Sequence, residues 1–306
     1  MARFGPREMV MEKISGSRVV MAIATVGRPQ IVCETIAGLL NQSRVPDAIF
    51  VCAPTDKDVE GLAEQIPMVE ITLGVRGSCI QRNALIRKAT REDILVFFDD
   101  DFVPHDDYLE KVESIFSKFK DIAVITGRVI ADGATGPGFD VAEAKSLLAH
   151  EGDFPSLDSI TDTYSGYGCN MAVRAALLLD HEIYFDESLP LYGWLEDVDL
   201  SRRLSCYGRI VRVADAKGVH LGVKGGRQSG RRLGYSQVAN PVYLARKGTL
   251  SWVRALNQLG RNVTANGLRC LRPEPYVDRR GRVAGNVRAL IDFATGRLDP
   301  RRVLKL

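Results

Sequence analysis

Histidine, tryptophan and paired cysteine are scarce in this sequence. Of 306 residues four are His and two are Trp, and the six cysteines (Cys33, Cys52, Cys79, Cys169, Cys206, Cys270) are scattered without a C-x-x-C pair. That spacing argues against a thiolate zinc site or a disulfide framework and suits the reduced thiols of a cytosolic protein. No stretch reaches the roughly 20 apolar residues of a membrane-spanning helix without a charge. Met1–Arg18 mixes charges with short apolar stretches and does not read as a secretory leader. Repeats and low-complexity tracts are also missing. The expectation is a soluble or peripheral globular chain, long enough to bury a full core.

Net charge is only +3, but it is unevenly spread. From Arg246 to Leu306, 14 Lys or Arg face 4 Asp or Glu, a balance of +10, while the rest of the chain carries 27 against 34, a balance of −7. A basic tail on an acidic body points to a polyanionic surface as partner, either membrane phospholipid or nucleic acid.

The most informative segment is Ile94–Phe98 followed by Asp99-Asp100-Asp101. Five apolar residues read as a buried strand that ends on three carboxylates. Their mutual repulsion needs water, donors or a cation to offset it, and hard oxygen ligands suit Mg²⁺ or Mn²⁺, with phosphates completing the coordination. A solvated acidic cap for the helix starting near Tyr108 is the other reading. Asp106 and Asp107 already serve that helix start.

Around this strand, β and α patterns alternate. Strands are expected at 19–24, 49–52, 69–73 and 94–98, with helices at 30–40, 59–65 and 78–89. Pro29 suits a first helical turn. Beyond them come a strand at 123–131, a loop at 132–138, a Gly-aromatic segment at 164–168, a strand at 169–173, a helix at 195–204 and a last strand at 210–214 ahead of His220. This alternation predicts an α/β fold whose mostly parallel sheet has helices on both faces and places ligands beyond its strands' carboxyl ends. Thr25–Arg28, Thr55-Asp56 and Asp99–Asp101 all lie at such ends. The expected division is an N-terminal extension at 1–18, a catalytic domain at 19–245 and a basic helical C-terminal extension at 246–306.

A second acidic pair, Glu196-Asp197, follows Trp194-Leu195 at a helix start. Burial would raise a carboxyl pKa there and the helix terminus would lower it, leaving an ionised group able to take a proton. Capping by acids is the alternative.

Taken in order, strand–Asp-x-Asp, a Gly-rich segment with Asn, Trp-x-Glu-Asp-x-Asp-Leu-x-x-Arg and a downstream His resemble the inverting family 2 glycosyltransferases of bacterial type, which have the GT-A fold, over about Val19 to His220. The resemblance implies that Asp99 and Asp101 hold the metal and, with Asp100, face the sugar nucleotide. It implies a catalytic base in Glu196-Asp197, with Asp197 preferred. Thr25 and Arg28 would contact the nucleoside, and Arg82 and Asn83 match a family Arg-Asn near the diphosphate. The family's acidic residue at the end of the second strand is replaced by Cys52-Ala53-Pro54. Asp56 either takes that role or starts the next helix. His220 is a candidate third metal or phosphate ligand, or else a structural residue. Gly168, Asn170 and Trp194 would shape the sugar and acceptor pocket.

Lys224 and Arg227, in a Gly-rich basic loop, are candidates to close on the diphosphate, the alternative being a solvated flexible loop. In the tail, Trp252–Leu259 and Val287–Phe293 have apolar residues at helical spacing beside arginines, which suits either a membrane interface or packing on the catalytic domain. The expected activity is therefore Mn²⁺- or Mg²⁺-dependent transfer of a sugar from a nucleotide-sugar donor to a hydroxyl acceptor, with a polyprenyl-diphosphate-linked glycan in view. The expected place is the cytoplasm, peripheral at the inner face of the cell membrane, with no nucleic-acid partner. The rivals are a nucleotidyltransferase, which needs no remote Glu-Asp base, and a nucleic-acid-binding module, which leaves the carboxylate triplet without a role.

Overall fold

The computed structural model describes residues 17–151, 159–225 and 229–306. Residues 1–16 of the expected N-terminal extension, and Arg227, lie outside them.

The first half is a run of βα units. β1 (Arg18–Ala24) leads into α1 (Pro29–Leu39), β2 (Ala48–Ala53) into a 3-10 turn at Asp56–Val59 and the short α2 (Leu62–Gln65), and β3 (Val69–Leu73) into α3 (Ser78–Ile86). β4 (Asp93–Asp99), β5 (Phe102–Pro104) and α4 (Tyr108–Lys118) follow. β1, β2 and β4 are almost wholly buried, as fits continuous apolar runs in a parallel sheet covered on both faces. Helix 59–65 of the sequence reading is thus a 3-10 turn plus one α turn, because Gly61 adopts a left-handed conformation (φ 78°) between them.

The second half contains β6 (Ile122–Asp132), α5 (Val141–His150), β7 (Ile160–Asp162), β8 (Asn170–Arg174), α6 (Ala175–Asp180), α7 (Glu196–Leu204) and β9 (Arg209–His220). Three helices close the chain, α8 (Gly230–Lys247), α9 (Trp252–Arg269) and α10 (Arg279–Ala294), before a 3-10 turn at Pro300–Lys305. The sheet order is β3-β2-β1-β4-β8-β6-β9-β5, with β7 also on β9. β1 to β4 pair in parallel, as do β6 and β9, whereas β8 lies antiparallel between β4 and β6. This is the expected α/β architecture with C-terminal helices.

The last strand does not stop at 214. It continues to His220 through register shifts against β6, so that Asp132 ends up paired with His220. Such bulges bend a strand and re-aim its side chains. One hydrophobic core fills the α1/α4 side of the sheet and another the α3/α6/α7 side. The second takes in Leu244 and Ala245 of α8 as well as Leu250 and Ala255, so the first two C-terminal helices share the core of the catalytic helix α7. The expected division at 245/246 falls in the last turn of α8.

Candidate active site

Three strand ends and one helix start converge beyond the carboxyl edge of the sheet. Phe98 pairs with both Ile23 and Asn170, which fixes the chain where β4 gives way to the three aspartates. Each aspartate then has a separate environment. Asp100 is turned inward, where its carboxylate accepts from Thr25 Oγ1 at 2.6 Å and Arg28 Nη1 at 2.9 Å. Burial, and the charges of Asp101 and Asp99, push its pKa up to about 7 against the pull of Arg28. Asp100 therefore ties β4 to the turn after β1.

Asp99 and Asp101 flank an imidazole. His220 Nε2 lies 3.3 Å from Asp101 Oδ1 and 3.9 Å from Asp99 Oδ2, and one ligand atom from each of the three residues fits within 4.8 Å of the others. On the far side of the ring, Nδ1 is 2.9 Å from Asp132 Oδ1, while Asp132 Oδ2 accepts from Tyr167 OH. A carboxylate behind an imidazole fixes the tautomer that points Nε2 at a cation, an arrangement common behind metal-ligating histidines. Burial alone would depress the His220 pKa, but Asp101 and Asp132 outweigh it and hold it up near 10. The pocket favours positive charge. Two carboxylates supply the hard oxygen donors that Mn²⁺ or Mg²⁺ takes, and one imidazole is acceptable to Mn²⁺, so the residues present fit a divalent ion.

Arg82 joins this cluster to the second acidic pair. Its buried guanidinium donates to Asp99 Oδ1 (2.8 Å), Glu196 Oε1 (2.9 Å) and the Gly168 carbonyl (2.8 Å). Glu196 is buried, and desolvation together with the Asp197 charge pushes it up to about 8 despite Arg82. Asp197 stays partly exposed. Its oxygens accept from the Gly168 and Val198 N–H groups at 2.9 and 2.8 Å, yet burial still leaves its pKa raised. The turn ahead of the pair is sharply wound, with Leu191, Gly193 and Leu195 at φ 61°, 75° and 74°. Left-handed leucines cost on the order of 1 kcal/mol or more each and persist only where the surroundings fix them. Here Ser78 N–H donates to the Leu191 carbonyl, and a Cβ on Gly193 would meet Cys79 Sγ at 3.1 Å.

The structure therefore brings together Thr25, Arg28, Arg82, Asp99, Asp100, Asp101, Gly168, Glu196, Asp197 and His220. Two residues expected in the site are turned elsewhere. Asn83 is buried against the 183–187 loop, bonded to Phe185 N–H and carbonyl and to Glu187, because it occupies the opposite side of α3 from Thr25. Asn170 is fully buried in β8 and accepts from Thr126 Oγ1, so it supports the Tyr167 turn instead of lining a pocket. Asp56 is exposed at the start of its 3-10 turn. Asp58 is the acid that reaches the first turn, accepting from Gly27 N–H at 2.6 Å and from Thr55. Trp194 lies beside Tyr192 with ring centroids 6.2 Å apart, held by Asn240 of α8 at its carbonyl. Lys224 donates to the Gly133 carbonyl, and Val223 N–H of the same segment donates to Asp101. Asp132 was invisible in the sequence as a site residue, since only the β6–β9 register brings it to His220.

Residues 17–220 match the model of the family described as glycosyltransferase like family 2. No curated protein matches the sequence. Among solved structures, the chain is similar to the mannosyltransferase PcManGT from Pyrobaculum calidifontis in complex with GDP-Man and Mn²⁺, at TM-score 0.56 and 16% identity over 90% of this chain and 87% of that one. It is similar to S. aureus TarS 1–349 in complex with UDP-GlcNAc, at 0.56 and 15% over 94% and 82%. It also resembles GalNAc-T7 with UDP, GalNAc and Mn²⁺, at 0.57 and 12% over 95% of this chain and 56% of that one. At such identities the likeness shows a shared fold.

Proposed function

We propose that this chain, which belongs to glycosyltransferase family 2, moves a sugar from a nucleoside-diphosphate donor to a hydroxyl acceptor with inversion at the anomeric carbon. The observation that carries the reading is the Asp99–Asp101–His220 cluster joined through Arg82 to Glu196-Asp197. The nucleotidyltransferase and nucleic-acid rivals give way to the family match. Asp99, Asp101 and His220 would hold Mn²⁺ or Mg²⁺, which supplies charge neutralisation for the diphosphate leaving group.

The protein's own groups carry the remainder. Thr25 and Arg28 form the nucleoside side of the site, and Arg28 adds positive charge there. Asp197, partly exposed and with a raised pKa, takes the proton of the attacking hydroxyl. Glu196 and Arg82 act as positioning residues that fix the α7 start relative to β4. The neighbours in complex with GDP-Man or UDP-GlcNAc support a nucleotide-sugar donor for this chain. For the acceptor, the basic C-terminal layer supports a polyprenyl-diphosphate-linked glycan met at the anionic inner face of the cell membrane, and so a role in surface-polysaccharide synthesis. No helix among the described residues is long and apolar enough to cross a membrane.

Thermal unfolding with a panel of nucleotide sugars, with and without Mn²⁺, tests the reading. A cognate donor at a hundredfold excess over its dissociation constant stabilises the folded chain by about 2.7 kcal/mol. Protection is expected only with Mn²⁺ and is expected to vanish in Asp101→Ala and Asp99→Asn. Protection that is indifferent to Mn²⁺, or retained in both variants, would overturn the metal and donor assignment.

A further inference from the structure

We infer that the outward faces of α9 and α10 form the surface on which this protein docks to an anionic lipid bilayer. The inference rests on the membrane-bound acceptor proposed above and names the residues that make the contact. α9 is unusually exposed for an 18-residue helix. Only Ala255 and Asn266 are buried, and Leu259 and Val263 complete its inner stripe. Its outer face is apolar as well, with Val253 70%, Leu256 57% and Leu268 66% exposed, continued by Leu271 at 84%. Their spacing puts them on one side of the helix, with Gly260 and Gly267 between them. Trp252, half exposed at the helix start, is the amphipathic kind of side chain that settles at a lipid–water boundary.

α10, which packs against α9, repeats the pattern. Gly285, Asn286, Ala289 and Asp292 face inward, and Val287, Leu290 and Ile291 face outward. Apolar side chains at this density on an outer surface mark an interaction site, whereas scattered ones do not.

Charge selects the partner. α9 contains no Asp or Glu, and the sole acid of α10, Asp292, is buried against Tyr235 and Arg302. Glu274 is held by Arg279 and Asp299 by Arg301. Arg261, Arg272 and Arg280 are exposed and, among the described residues, have no carboxylate within ion-pair distance. An apolar face rimmed by unneutralised arginines complements a bilayer that offers acyl chains beneath anionic headgroups. A second protein copy would have to meet the same arginines with its own.

The layer also adjoins the candidate active site. Tyr276, in the connection between α9 and α10, lies 5.4 Å from Lys224 Nζ, in the segment whose Val223 N–H holds Asp101. Asn240 of α8 holds the carbonyl of Trp194 at the acceptor side. Docking through α9 and α10 therefore keeps both halves of the site close to the surface that would carry a lipid-linked acceptor.

Co-sedimentation of the full chain with mixed phosphatidylglycerol–phosphatidylcholine vesicles, and with phosphatidylcholine alone, tests the inference. The wild type is expected to pellet with the anionic vesicles and to be released by salt. The exposed-face variant Val253→Ser/Leu256→Ser/Leu268→Ser is expected to lose on the order of tenfold or more in partitioning, with its melting temperature and Mn²⁺-dependent donor protection unchanged. Equal binding by wild type and variant would overturn the face while leaving the membrane location standing. No preference of the wild type for anionic vesicles would overturn both. A wild-type dimer that the variant makes monomeric would assign the face to a second copy instead.

Discussion

Asp197 keeps solvent access, as Asp99 and Asp132 do, but it alone among these three has both oxygens accepting backbone N–H bonds. Replacement by Asn keeps size and polarity but removes the base, so donor protection should survive while turnover falls on the order of 10²-fold or more. Stopped assays with saturating donor and acceptor measure this. The pH dependence has a definite sign. A base acts unprotonated, and burial raises the Asp197 pKa above its ordinary value. The acid limb of kcat should therefore lie above the usual Asp range of about 4 and disappear from the residual rate of Asp197→Asn. A limb unmoved in that variant would assign the base elsewhere, with Glu196 the next carboxylate along the helix. At this scale the sequence revealed the chemistry in the two acidic motifs and in His220. It did not reveal the division of labour. That Asp100 turns inward to Thr25 while its neighbours face His220 depends on backbone direction after β4, and the Asp132 behind the imidazole depends on a bulged register eighty-eight positions away in sequence.

Between elements, the closest approach in the C-terminal layer is made by glycine. A Cβ on Gly234 of α8 would meet the Arg282 carbonyl at 2.1 Å, and one on Gly285 of α10 would meet the Arg231 carbonyl at 2.0 Å. Backbone cannot yield as a side-chain tip can. Gly234→Ala should therefore destabilise the chain by about 1–3 kcal/mol, even though Ala is the better helix former by about 1 kcal/mol. Urea unfolding measures the difference, and a neutral or stabilising result would show that α8 and α10 can move apart freely. The same glycines explain why α8 escaped the sequence reading. With Gly230, Gly234 and an internal Pro241, its residues imitate a loop, and only burial against α10 and α7 makes them a helix. The βα units of the first half were legible because each strand is an unbroken apolar run. α5 and α6 were not, since α5 has a weak apolar stripe and α6 follows β8 without a break.

The whole molecule raises the question of whether the basic layer is a separate appendage. Composition suggests that it is, with +10 on one part and −7 on the other, and the sequence alone offers no means to see contacts across that division. The structure argues for a single cooperative unit. Leu244 and Ala245 of α8 share a core with Leu200 and Leu204 of α7. Lys247, at the end of α8, donates to Asp186 at 2.6 Å and to the fully buried Asp199 of α7 at 2.9 Å. Lys247→Met would take the cation from Asp186, leaving it Tyr243 OH and Ser188 N–H, and would leave Asp199 to Arg203 and Thr249. Because Lys247 keeps some solvent contact and Asp199 keeps Arg203, the loss is expected below the range of about 3–5 kcal/mol for a broken buried pair, at about 2 kcal/mol. Calorimetry should show one transition in the wild type and one, shifted down by several degrees, in the variant. Two resolved transitions in the wild type would restore the appendage. Acid supplies a second check. Burial would raise the Asp186 pKa, but Lys247, Ser188 N–H and Tyr243 carry it below the ordinary value. The stability this pairing contributes is present in full above the unfolded pKa and is lost as pH falls through the folded one. The gap between wild type and Lys247→Met should therefore be widest near neutrality and narrow below pH of about 4. A gap unchanged in acid would mean that Lys247 acts through packing of its stem and not through its charge.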